Sequence, residues 1–246
     1  MADYHYQIET VQVLDSPMEV FVFEATQSRD NKPGPAIVLA QHIPVGHTGI
    51  ENDEFTLATA QRLADAGYVV AVPFIFHWWD KAESMDLKRQ ESRDDWTVLD
   101  IQAAFDLLKK RSDVLHDRIA IVGHCWGGRV AWLGACHVSD FAALGVFYGG
   151  NIKKGLGQDN PPPILLAGNI NGPVIGFFGN DDVNPSPDDV DDYSSALAKA
   201  GVRHEFHQYD GAGHAFQNFP VAEKYNAQAS EDAWSKLLEF LKEELG

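Results

Sequence analysis

Cysteine is nearly absent from this sequence: its 246 residues hold two, Cys125 and Cys136. Two thiols cannot staple a chain of this length, so a disulfide scaffold is excluded and both are expected to stay reduced. They form neither a C-x-x-C redox pair nor a zinc-finger spacing. Basic residues are also scarce, 19 Lys and Arg against 36 Asp and Glu, for a formal charge of −17. A nucleic-acid backbone would be repelled, and no basic cluster offsets this. No run approaches the roughly 20 apolar residues that span a bilayer. The first residues carry acids, His and Tyr rather than a basic start and an apolar run, so no secretory signal is expected. There is no internal repeat and no linker-like stretch. These absences predict a cytoplasmic protein that binds neither nucleic acid nor membrane, folded as one domain over residues 1–246. With 45% hydrophobic residues the chain can bury a substantial core.

What is present is an alternation. Residues 7–14 and 18–25 flank Ser16-Pro17 and predict an opening hairpin. Apolar strands are expected at 36–41, 68–73, 118–122, 142–147 and 174–178, with a last strand at 204–209. Helical spacing of apolar residues predicts helices over 53–66, 94–110, 127–135, 187–199 and 222–245. Gly67 fits the end of the first. Residues 151–163, rich in Gly, Lys, Asn and Pro, predict a surface loop. Fully apolar strands joined by helices imply a mostly parallel sheet covered on both faces, an α/β architecture. Ligands in such sheets bind beyond the C-terminal ends of the strands.

The strongest local signal lies at such an end. Gly123-His124-Cys125-Trp126-Gly127-Gly128 follows an apolar strand and opens a helix. This is the G-x-nucleophile-x-G elbow with Cys in place of Ser. The turn is tight enough that side chains at 123 and 127 would collide with their neighbours. It presents the sulfur at a helix N-terminus, where unpaired N–H groups and the dipole favour a thiolate. A buried structural Cys in a glycine-rich turn is the competing explanation.

A thiol nucleophile needs a base, and the base needs an orienting group. On this fold the chain order is nucleophile, acid, His. After strand 174–178 comes Gly179-Asn180-Asp181-Asp182, and after strand 204–209 comes Gly211-Ala212-Gly213-His214-Ala215-Phe216. His214 is the expected base. His42, His47, His77, His124, His204 and His207 compete with it. Asp182 is the expected acid, with Asp181 as fallback. Asp188, Asp189, Asp191 and Asp192 follow at a helix start, where acids suit the dipole.

From about Ala36 to the last helix these residues resemble the dienelactone hydrolase family of the α/β-hydrolase superfamily. The marks are G-x-C-x-G-G at 123–128, G-x-x-D at 179–182 and G-x-G-H-x-F at 211–216. The resemblance implies a lactone or ester hydrolase with a Cys125-His214-Asp182 triad, an acyl-thioester intermediate and no cofactor or metal. It implies an oxyanion hole from the backbone N–H groups of Ile43 and Trp126. It also implies a small-molecule substrate and a monomer or homodimer. Two departures stand out. Family members commonly carry Glu after the first central strand, where His42 stands here. That His42 would either favour the thiolate by charge or form a passive wall. The arginines that meet a substrate carboxylate in the type enzymes have no counterpart in 74–79 or 214–218. His77, Trp78, Trp79 and Phe216, with Trp126, are available to line an aromatic site. A less anionic substrate is therefore expected, and residues 74–90 are a candidate lid. Arg129, after the elbow, reads as a structural ion pair. A small-ester or thioester hydrolase, or a catalytically silent binding protein of the same fold, would share these features.

Overall fold

A computed structural model describes residues 4–27, 32–44 and 49–246 of the chain. Among the described residues eight strands form one sheet in the order β1-β2-β4-β3-β5-β6-β7-β8. The hairpin β1 (Gln7–Val13) and β2 (Ser16–Phe23) is antiparallel, and β2 joins the rest antiparallel to β4 (Val69–Pro73). From β4 onward every pairing is parallel, through β3 (Gly34–Ala40), β5 (Val114–His124), β6 (Ala143–Phe147), β7 (Val174–Gly179) and β8 (His204–Tyr209). This mostly parallel sheet is the α/β architecture that the strand and helix alternation predicts, and with its antiparallel opening hairpin it is the α/β-hydrolase fold that the resemblance implies.

The central strands are buried on both faces, as their uninterrupted apolar runs require. Ile119, Ala120, Ile121 and Val122 of β5 have no solvent exposure. The edge strand β8 is instead a mixture of half-buried and exposed residues, none of them fully buried. Among the described residues six α-helices accompany the sheet: α1 (Glu54–Asp65), α2 (Met85–Glu91), α3 (Asp94–Lys109), α4 (Trp126–His137), α5 (Pro187–Ala200) and α6 (Ala227–Leu245). Among the described residues no helix is long and apolar enough to cross a membrane.

The departures from the expected elements are local. Strand β5 runs to His124, so Cys125 follows it at once. Helix α6 begins at Ala227 rather than 222, because the Asn226 side chain accepts from the Ala229 N–H at 3.1 Å and caps it there. Helix α2 lies within the candidate lid segment. Its seven mostly polar residues carry no long periodic signal, and Ser84 caps it through the Leu87 N–H. The expected loop 151–163 leads into a 3-10 helix over Pro163–Asn169.

Candidate active site

Cys125 takes φ 55° and ψ −120°, a conformation that side chains normally avoid. Its surroundings explain why the strain persists. A Cβ at Gly123 would lie 1.9 Å from the Gly127 carbonyl oxygen, and one at Gly127 would lie 2.2 Å from that of Ala40. Only glycine lets β5, α4 and the end of β3 approach this closely. The Cys125 N–H donates to the Phe147 carbonyl of β6 at 3.0 Å, which pins the turn between two strands.

Two loops from the far side of the sheet converge on the sulfur. Asp182 follows β7, and His214 follows β8. They meet because Gly179 has no side chain: a Cβ there would sit 2.1 Å from the Ala212 carbonyl oxygen. The Asp181 N–H, in turn, donates to that carbonyl at 3.0 Å. His214 Nε2 lies 3.0 Å from Cys125 Sγ, and His214 Nδ1 lies 2.8 Å from Asp182 Oδ2. Asp182 is buried, and its other oxygen accepts from the Asn184 N–H at 2.9 Å. Asp181, the fallback acid, is exposed.

The electrostatics favour a charged imidazole. Burial works against it, but the hydrogen bonds and negative charges of Asp182 and Cys125 prevail and raise the His214 pKa to about 10. A carboxylate only accepts hydrogen bonds, so Asp182 holds the proton on Nδ1 and turns Nε2 toward sulfur. Tyr148 packs its ring edge-on against the imidazole at 5.4 Å. Burial holds the Tyr148 hydroxyl in its neutral form, with its pKa well above the usual value.

Of the two backbone donors expected for an oxyanion hole, Ile43 follows β3 and Trp126 opens α4; the strands that lead to them, β3 and β5, pair at Ala40 and Gly123. Among the described residues neither N–H has an acceptor.

The other expected site residues are distributed differently. His42 is buried, with Nε2 at 2.8 Å from Asp53 Oδ2. His77 has partners at both nitrogens, Ser16 Oγ and Asp100 Oδ1, each at 2.8 Å. The ring is thereby occupied in fixing the segment after β4 and has no nitrogen left for a ligand. Phe216 is fully buried against Tyr148 and Tyr209 and serves as packing beneath the base. Trp78 and Trp79 remain partly exposed. Trp78 stacks on Trp96 at 4.8 Å and donates to Asp100, while Trp79 donates to Glu91. Arg129 forms the buried pair with Asp94, Nη1 to Oδ1 at 2.5 Å. His47 lies outside the described residues.

Three histidine partners escaped the sequence reading: Asp53, Asp100 and Gln217. Gln217 Oε1 accepts from His124 Nε2 at 2.9 Å and ties the elbow to the loop that carries His214. Burial depresses the His124 pKa to about 3, so that ring is neutral. Asp53 carried a sequence signal, an acid preceding a helix, but nothing in the spacing pointed it at His42. Among the described residues no group of three or more His, Cys, Asp or Glu could hold a metal ion.

Comparison with known proteins places the chain in a family and a fold. The family model described as the dienelactone hydrolase family matches residues 18–245. A carboxymethylenebutenolidase of Rhodococcus opacus is 29% identical over 223 residues, covering 87% of this chain and 82% of its own. A candidate carboxymethylenebutenolidase of Escherichia coli K12 is 29% identical over 229 residues, covering 90% and 81%. In fold, the chain is similar to the crystal structure of a candidate dienelactone hydrolase from Klebsiella pneumoniae. There the TM-score is 0.84 at 23% identity, with 98% and 99% of the two chains covered.

Proposed function

The chain belongs to the dienelactone hydrolase family, and from that premise we propose that it hydrolyses lactone or carboxylic ester bonds with Cys125 as nucleophile, His214 as base and Asp182 as orienting acid. The observation that carries this reading is the continuous chain of contacts from Cys125 Sγ through His214 to Asp182, at 3.0 and 2.8 Å.

The chemistry follows from that chain. His214 holds the thiol proton, leaving a thiolate that attacks the carbonyl carbon. Charge develops on the carbonyl oxygen and is met by the N–H groups of Ile43 and Trp126. Donors of this kind are often the largest contribution to the rate. Collapse of the tetrahedral intermediate breaks the C–O bond, and His214 returns its proton to the leaving alkoxide. The product is an acyl-thioester on Cys125. Water then attacks that thioester, giving its proton to His214, and the acid leaves as the thiolate re-forms. In a lactone the leaving oxygen stays tethered to the acyl group.

A less anionic substrate is supported by how the nearby cations are used. Arg129 is committed to Asp94, Arg93 to Asp95, and Lys153 to Asp189 and Asp192. Trp78, Trp79 and Trp126 supply partly exposed aromatic surface instead. The decisive experiment is a hydrolysis screen of uncharged lactones, aryl esters and a dienelactone. Wild type should turn over the uncharged esters faster than the dienelactone, and Cys125→Ala should turn over none. A folded Cys125→Ala protein that retained activity would remove the nucleophile from this reading.

A further inference from the structure

The proposed catalytic chain uses one His–Asp pair, and two further buried pairs lie just beyond β4 and β3: His77 with Asp100, and His42 with Asp53. The latter joins the end of β3 to the start of α1. Residues 41–44 lie outside any helix or strand, yet Gln41, His42 and Pro44 are buried. Their backbone direction is therefore set by what their side chains grip.

His42 has a firm grip. Its Nε2 meets Asp53 Oδ2 at 2.8 Å, and its ring lies 4.9 Å from that of Phe55. Asp53 is itself fixed, because it caps α1. Its Oδ1 accepts from the Thr56 N–H at 3.3 Å, and its Oδ2 accepts from Thr56 Oγ1 at 2.6 Å. Burial works against charge on Asp53, but the bonds from His42 and Thr56 hold its pKa below the usual carboxylate value. The carboxylate only accepts, so His42 carries its proton on Nε2 and is bound as a donor. This chain of contacts runs from α1 to the residue immediately before Ile43.

We propose that His42 is a positioning residue: anchored by Asp53 at the N-cap of α1, it fixes the segment that aims the Ile43 N–H at the developing oxyanion. This rests on the proposed hydrolytic reading. It differs from both roles that the sequence leaves open for His42, charge on the thiolate and a passive wall. It also accounts for burying a His–Asp pair that touches neither Cys125 nor His214. A donor to an oxyanion must be held at one distance and angle, and a segment without secondary structure provides neither unaided.

The test separates oxyanion stabilisation from thiol reactivity. Hydrolysis of p-nitrophenyl acetate develops an oxyanion, whereas alkylation of Cys125 by iodoacetamide does not. His42→Ala should lower kcat at least tenfold, with KM and the alkylation rate each within about twofold of wild type. Asp53→Ser, which keeps a helix-capping hydroxyl but cannot reach His42, should show the same pattern. His42→Gln, whose amide N–H can still reach Asp53, should recover most of the lost kcat. Unchanged kcat in His42→Ala would overturn the proposal. So would kcat and alkylation falling together, which would place His42 on the thiol. Cys125→Ala distinguishes the layers. Turnover in that variant removes the hydrolytic reading and this inference with it. A silent Cys125→Ala beside a fully active His42→Ala removes this inference alone.

Discussion

At the scale of single residues, the two cysteines show how environment rather than identity sets chemistry. Cys136 is buried on α4, and burial pushes its thiol up to about 12. Cys125 sits at the first turn of the same helix with an imidazole 3.0 Å away. At pH 7 iodoacetamide should therefore label Cys125 at least about 100-fold faster than Cys136, as peptide mapping by mass spectrometry would show. His214→Ala should slow labelling at Cys125 at least about tenfold. Equal rates at the two thiols would contradict the arrangement. The sequence alone singled out Cys125, because flanking glycines mark the elbow. It could not foresee that both nitrogens of His77 are engaged, because Ser16 and Asp100 are remote from it in the chain.

At the scale of elements, the site depends on close backbone approach between β3, β5 and α4. Gly127 is where α4 meets β3: a Cβ there would press into backbone of the β3 end, which has no flexible tip to yield. Gly127→Ala should cost about 3 kcal/mol or more, in the range of severe overpacking. Denaturant unfolding would measure it. A loss below about 1 kcal/mol would show that the β3 end moves aside easily. The elements themselves were legible wherever apolar runs or helical spacing extended over several residues. Helix α2 was not, because seven mostly polar residues present no sustained apolar face. The early start assigned to α6 failed because residues 222–226 continue a helix-compatible composition, whereas Asn226 sets the boundary through one cap bond.

For the whole molecule, pH acts on the fold through the same groups that make the site. The folded-state pKa of His214 is raised to about 10 from 6.5. Its contribution to stability is therefore fully present below about pH 6.5 and is lost as pH rises toward 10. Asp53 is lowered, so its contribution is present above about 3.8 and is lost as pH falls. Asp100 is raised by burial and acts oppositely: its contribution is present below about 3.8 and is lost as pH rises through its folded value. The formal charge of −17 adds self-repulsion on the alkaline side. The melting temperature should fall between pH 7 and pH 10, and by less in His214→Ala than in wild type. Parallel curves for the two proteins would mean that His214 is not coupled to folding.

The sequence by itself determined the α/β class, the strand and helix alternation, and the elbow, because apolar periodicity and glycine spacing are local properties of a chain. It also ordered the candidates as Cys125, Asp182 and His214, since this fold delivers catalytic groups at successive strand ends. Which histidines are partnered, and by what, was decided only in three dimensions. His42 with Asp53, His77 with Asp100 and His124 with Gln217 are contacts between separate segments of chain. A hydrogen bond depends on angle and ångström-scale distance, and those are set when the sheet closes and its helices settle against it.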